Sequence, residues 1–163
     1  MNSVAPAWQQ WVCDQGTRGG SVESPMEDLF QGAYEVVWMV GGYGATLPRR
    51  LESQQVYGPY RLDFSIQGEG EKGRYQIAIE IDGHDFHERT KEQASKDKER
   101  DRYLQKHNWK VLRFSGSDIY RNCFGCAQEV IHAYVVAHTG KEIREAAAER
   151  HMARLRELLG PAP

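Results

Sequence analysis

Ile77-Ala78-Ile79-Glu80-Ile81-Asp82-Gly83-His84-Asp85-Phe86-His87 is an apolar run that takes on two acids and then meets a glycine and two histidines. Side chains on a β-strand alternate between faces, so Ile77, Ile79 and Ile81 share one face while Ala78, Glu80 and Asp82 share the other. Two carboxylates therefore stand side by side on a strand whose other residues belong in a core. An isolated buried charge is expensive, or its pKa shifts until it is neutral. A bound divalent cation is one compensation; a strand end open to solvent is the plainer one.

Working outward, Tyr60 to Gln67 reads as a strand with Tyr60, Leu62, Phe64 and Ile66 on an apolar face and Arg61, Asp63 and Ser65 on the other. Gly68-Glu69-Gly70-Glu71-Lys72-Gly73 matches a GxGxxG string. A dinucleotide fingerprint must open a helix, however, and here a strand follows a loop whose two acids repel phosphate. It reads as a hairpin turn, with Arg74 to Asp82 returning antiparallel. Asp63 lies five residues before Gly68 and Glu80 seven after Gly73, so the two acids fall opposite or diagonal to one another. Leu51 to Tyr57 precedes them as a strand, joined through a Gly58-Pro59 turn. Gln55 on that strand has either a backbone partner, the plainer reading, or a substrate to orient.

Ser24-Pro25-Met26-Glu27 is a helix start: Ser as N-cap, Pro at the first helical position, and Glu placed for a capping box. That helix runs through Leu29, Phe30, Ala33 and Val37 and ends before Gly41-Gly42. Capping alone explains Glu27, and a place near a metal is the sharper alternative. Thr90 to His107 is a charged helix with a thin apolar face of Ala94, Tyr103 and Leu104. Its Lys91, Lys96, Lys98, Arg100 and Arg102 read first as a solvated face. Trp109 to Phe114 is a fourth strand, Asp118 to His138 a helix, and Lys141 to Leu159 a last helix with an apolar side suited to docking or dimerisation.

The 163 residues suit one domain, spanning 24–138, with an N-terminal extension and linker over 1–23 and a C-terminal helical extension over 139–163. With 40% hydrophobic and 27% charged residues the composition is that of a soluble globular protein, and no apolar run is long enough to span a membrane. Met1 to Pro6 lacks the basic and apolar segments of a signal peptide, which makes the cytoplasm the default setting. Three cysteines, an odd number, argue against a disulfide framework, and the Cys123/Cys126 pair lacks a second ligand pair for structural zinc. A net charge of −2 argues against a tight, passive electrostatic glove for nucleic acid, but not against an enzyme that meets phosphates through a local patch and a metal ion.

The order is helix, strand, strand, strand, helix, strand, helix, with one acid in the second strand and two in the third. Three such carboxylates without a cation would repel by roughly 4 kcal/mol per close pair at an effective dielectric near 20. Mg²⁺ or Mn²⁺ would reverse that sign. This order and these acids resemble the PD-(D/E)XK, restriction-endonuclease-like nuclease superfamily, an α/β fold with an αβββαβ core and a mixed four-stranded sheet. Ser24-Pro25-Met26-Glu27, Tyr60-Arg61-Leu62-Asp63-Phe64, Ile79-Glu80-Ile81-Asp82-Gly83 with His87, Asp97-Lys98-Glu99-Arg100-Asp101 and Trp109-Lys110-Val111-Leu112-Arg113-Phe114 are similar to a bacterial family related to the very-short-patch-repair endonucleases. The resemblance covers about residues 24–131.

The resemblance implies a metal held by Asp63 and Glu80 with help from the Ile81 carbonyl, and Glu27 near the site. The superfamily's Lys, two residues after the Glu, is Asp82 here. Three repairs are open: Asp82 as a further ligand, His87 as general acid or base, or Lys98 or Arg100 reaching over from the helix. The first two together are favoured, with His84 in support. The implied activity is metal-dependent phosphodiester hydrolysis, by a DNA endonuclease before an RNA one. The alternative is a catalytically inactive nuclease-fold module for nucleic-acid binding or protein assembly, with the C-terminal helix as homodimer or partner surface.

Overall fold

Sharp helix signals at both ends fix the first element. In this computed structural model, which describes residues 24–82, 90–141, 153, 154 and 157, helix α1 runs Pro25–Gly41. Ser24 is its N-cap and accepts from the Glu27 N–H, Pro25 sits where no N–H is needed, and Gly42 ends it at φ 67°. A short 3-10 turn, Tyr43–Ala45, leads to strand β1, Glu52–Tyr57. Strands β2, Tyr60–Gly70, and β3, Gly73–Asp82, follow; helix α2 is Lys91–Lys106, β4 is Lys110–Ser115 and helix α3 is Gly116–Thr139.

The four strands form one sheet in the order β1-β2-β3-β4. The first three are antiparallel neighbours, and β4 runs parallel to β3 after the crossover through α2. This is the expected mixed four-stranded α/β core. The hairpin is tighter than the sequence suggests: Gly70 pairs with Gly73 around a two-residue Glu71-Lys72 turn. Gly73, at φ 102°, takes the backbone shape that lets the strands close there.

The two faces of the sheet are unequal. Phe64, Ile66, Ile77, Ile79, Ile81 and Phe114 join Phe30, Tyr34, Val130, Ile131 and Tyr134 in the main core under α1 and α3. On the opposite face Leu62, Ala78, Leu104 and Trp109 form a small second cluster with Tyr57, Tyr103 and Val111. The period-two reading holds for β3, whose three isoleucines face the main core.

It fails for β2. Leu62 and Phe64 are two residues apart yet lie in different clusters. The cause is a break in the ladder: β1 and β2 pair Ser53 with Phe64 and Gln55 with Leu62, while Gln54 and Asp63 fall between without being partners. Gln54 sits there in the left-handed region at φ 54°, a conformation that costs a non-glycine residue of order 1–3 kcal/mol. Irregular strand geometry at this point re-aims Asp63.

Helix α3 opens on a capping box between Ser115 and Asp118 and is kinked at Asn122, whose φ of −155° and ψ of 63° are not helical. Asn122 Oδ1 accepts from the Gly125 N–H, 3.0 Å, capping the second segment. Cys123 and Cys126 are buried on this helix, and burial pushes the Cys126 thiol up to about 12. Among the described residues no helix is long and apolar enough to cross a membrane. The expected N-terminal extension over 1–23 and most of the expected 141–159 helix lie outside the described residues.

Candidate functional site

Glu80 is the centre of the site. It is only 2% exposed, on the α2 side of β3 with Ala78, because the strand's alternation sends the isoleucines to the main core. Its Oε2 lies 2.5 Å from Nη2 of Arg100 on α2. Its Oε1 is buried and has no hydrogen-bond partner among the described residues. Burial raises the carboxyl to about 8; Arg100 opposes that shift and Asp63 adds to it.

Asp63 reaches the same region through the break in β2. Its Oδ2 accepts from the Ile81 N–H at 2.7 Å, so the side chain occupies a position that a ladder carbonyl would otherwise take. Burial raises its pKa, the Ile81 hydrogen bond opposes that, and the charges of Glu27 and Asp82 reinforce it. Ile81 was expected to contribute its carbonyl; it is the amide whose bond to Asp63 is visible. Glu27, 6% exposed, points its Oε2 at Gln54 Nε2, 2.7 Å away. Its carboxylate therefore joins this site beyond what capping requires.

Asp82 lies two residues further along β3. Arg113, the β4 partner of Glu80 in the parallel register, donates to Asp82 Oδ1 at 3.3 Å and to Asp101 Oδ1 at 2.7 Å. Burial disfavours the Arg113 charge, but Asp82, Asp101 and Glu80 outweigh it and the net shift is upward. Asp97, Arg100, Asp101 and Leu104 follow the i, i+3, i+4, i+7 spacing of one helix face. Leu104 is fully buried in the second cluster and anchors that face on the sheet. Lys98, two residues from Arg100, is exposed; of the two helix cations considered, Arg100 is the one that reaches the acids.

Gln55 Oε1 accepts from Ser65 Oγ at 2.5 Å and Gln67 Nε2 at 2.6 Å, side chains of the next strand. The adjacent Gln54 takes the place by the acids, because the left-handed turn in β1 swings it toward Glu27. Periodicity could not have found Gln54, since the break is what puts it there. Asp101 and Arg113 were missed for another reason: both carry helical or strand spacing that points at Glu80, but each reads as an ordinary surface charge. His84 and His87 lie outside the described residues.

The donor chemistry fits a hard divalent cation. Asp63, Glu80 and Asp82 offer only oxygen, and the orphaned Glu80 Oε1 is a buried acceptor in need of a positive partner. In this arrangement, however, the Arg100 and Arg113 guanidinium groups lie against Glu80 and Asp82. Among the described residues no group of three His, Cys, Asp or Glu side chains is gathered closely enough to hold a metal ion.

Residues 47–134 match the family model described as REase_MTES_1575, a restriction-endonuclease-like family. The matched stretch contains the four described strands and the two helices that follow β3 and β4 up to Tyr134. No curated protein and no solved structure matches the chain.

Proposed function

Because this chain belongs to that restriction-endonuclease-like family, we propose that it is a metal-dependent nuclease that hydrolyses phosphodiester bonds, with DNA as the first substrate and RNA as the second. The observation that carries the reading is Glu80, a carboxylate buried in mid-sheet with one oxygen unsatisfied and Asp63 and Asp82 close enough to perturb it. Structure alone rarely retains such an acid, since an apolar residue would fill the position at no electrostatic cost.

In this proposal Asp63 and Glu80, with Asp82 as a third donor, hold Mg²⁺ or Mn²⁺. When bound, the ion supplies Lewis acidity toward a phosphoryl oxygen and the attacking water. Gln54 and Glu27 form a hydrogen-bonded pair that fixes the β1 edge beside Asp63. His87 moves a proton to or from the reacting oxygens, a task suited to a side chain with an ordinary pKa of about 6.5. The functional unit is residues 24–138, and the C-terminal segment offers a partner or dimer surface.

A nicking assay on plasmid DNA and on RNA with Mg²⁺ or Mn²⁺ tests this. Wild type is expected to cleave, and Glu80→Ala to lose about a hundredfold or more. Absence of cleavage on every substrate, or activity indifferent to Glu80→Ala, would overturn it. A second reading has its own support: Arg100 and Arg113 already occupy Glu80 and Asp82, as they would in a silent nucleic-acid-binding module. Salt-sensitive DNA binding with no cation uptake by calorimetry would favour that module.

A further inference from the structure

Arg100 is held in an arrangement that is close but incomplete. An arginine and a carboxylate reach their best geometry when two parallel N–H groups meet two oxygens. Here Nη2 meets Glu80, at 2.5 Å from Oε2, and the same Nη2 donates to the Arg61 carbonyl at 2.6 Å. Arg100 Nε and Glu80 Oε1 are both buried with no hydrogen-bond partner among the described residues. Two groups that could complete a fork with each other remain apart.

The guanidinium also has somewhere else to lie. Its carbon sits 5.9 Å from the centroid of the Tyr60 ring, an aromatic face that stabilises a cation. The Arg100 side chain is 22% exposed, against 3% for Glu80, so the arginine has a path toward solvent and the carboxylate does not. Position 82, where the resemblance expects a lysine, holds an acid instead. The site therefore needs a cation for phosphate from another element, and Arg100 is the helix cation already inside it.

We propose that Arg100 is the phosphate-binding cation of this site, parked on Glu80 in the metal-free protein and released from Glu80 to the substrate when a divalent cation takes the carboxylate. The inference rests on the nuclease reading above. On release, Arg100 stays between the Tyr60 ring and the strand edge at Arg61, with its donors turned to a phosphate oxygen. Arg100 and the divalent cation thus compete for Glu80, and removal of the arginine strengthens metal binding while it weakens DNA binding.

Calorimetric titration with Mn²⁺, and duplex-DNA binding measured in Ca²⁺ across a salt series, test both halves on wild type, Arg100→Gln, the exposed control Arg102→Ala, and Glu80→Ala. Arg100→Gln is expected to bind Mn²⁺ on the order of tenfold more tightly, because the competing partner is gone. Its slope of log K for DNA against log salt should fall by about one. Arg102→Ala is expected to match wild type in Mn²⁺ affinity. Unchanged or weaker Mn²⁺ binding in Arg100→Gln overturns the proposal. If wild type binds Mn²⁺ and Glu80→Ala does not, that same result leaves the nuclease reading standing. No Mn²⁺ uptake by wild type overturns both. Should Arg100→Gln not fold, the Nε–Hε resonance of Arg100 in wild-type protein, assigned through Arg100→Lys, supplies the answer. It is expected to move as Mg²⁺ binds, and a stationary resonance overturns the proposal.

Discussion

Buried Glu80 gives the stability of the fold an expected dependence on pH. Its folded-state carboxyl is raised from 4.5 to about 8, with burial as the largest cause. Between those values the folded chain keeps a proton that the unfolded chain has released. The corresponding stability is complete below the unfolded pKa and is lost as pH rises through the folded one. Asp63 is shifted in the same direction and adds to the slope. In EDTA the Tm of wild type is therefore expected to fall from pH 5.5 to 8.5, by at least a few degrees, since each kcal/mol is worth about 2–4 °C in a domain of this size. Glu80→Gln, which fixes the neutral form, should flatten that slope. An equal slope in the variant, read by circular dichroism, would remove Glu80 as its cause. Asp118, a capping carboxylate at full exposure, has its pKa lowered by hydrogen bonds from Ser115 and acts in the opposite sense, losing its contribution only as pH falls through the acid range. The contrast isolates burial, not carboxylate chemistry, as the source of the Glu80 effect.

At the level of the element, α2 is the weakest-anchored layer and carries the most charge to the site. Only Leu104 of this helix is buried, and the second cluster it joins has four buried members. Leu104→Ala is expected to cost about 2–5 kcal/mol, and to raise amide exchange in α2 before it does so in α1 or α3. Uniform acceleration across all three helices, measured by hydrogen exchange, would show that α2 is not a separable layer. The strands and helices themselves were legible in the sequence because each carries local signals: Ser24-Pro25 and Gly42 around α1, Thr90 with Gln93 at the start of α2, and alternating isoleucines in β3. Glu80 and Asp63 were legible too, as acids in apolar strands. What escaped was set by geometry with no local signature. Leu62 changes face because the ladder skips at Gln54 and Asp63. Gln54 reaches Glu27 through its left-handed backbone turn, and Arg113 meets Glu80 only because β4 pairs with β3 in that register. Long-range register decides all three, and a single sequence prints no register.

For the whole molecule, a net charge of −2 means that affinity for a polyanion must be local, and at the proposed site the polyanion would have to approach Glu80, a carboxylate only 2% exposed. On the proposed reading a divalent cation would resolve both problems at once, and because the unfolded chain scatters these acids, the ion would bind the native state in preference. Mass action then stabilises the fold by about 2.7 kcal/mol when the free ion is at a hundred times its Kd, equivalent to roughly 5–10 °C in Tm. The gain should be larger at pH 8.5 than at pH 6. At the lower pH the ion must displace a proton from Glu80, whose folded pKa is about 8, and at the higher pH the carboxylate is already ionised. Thermal melts with and without Mg²⁺ at the two pH values, on wild type and on a combined Asp63→Asn, Glu80→Gln variant, check the argument. Wild type should gain stability with the stated pH order and the double variant should gain little. Equal gains in the two proteins would place the ion elsewhere, and a larger gain at pH 6 would mean that the proton and the metal do not share Glu80.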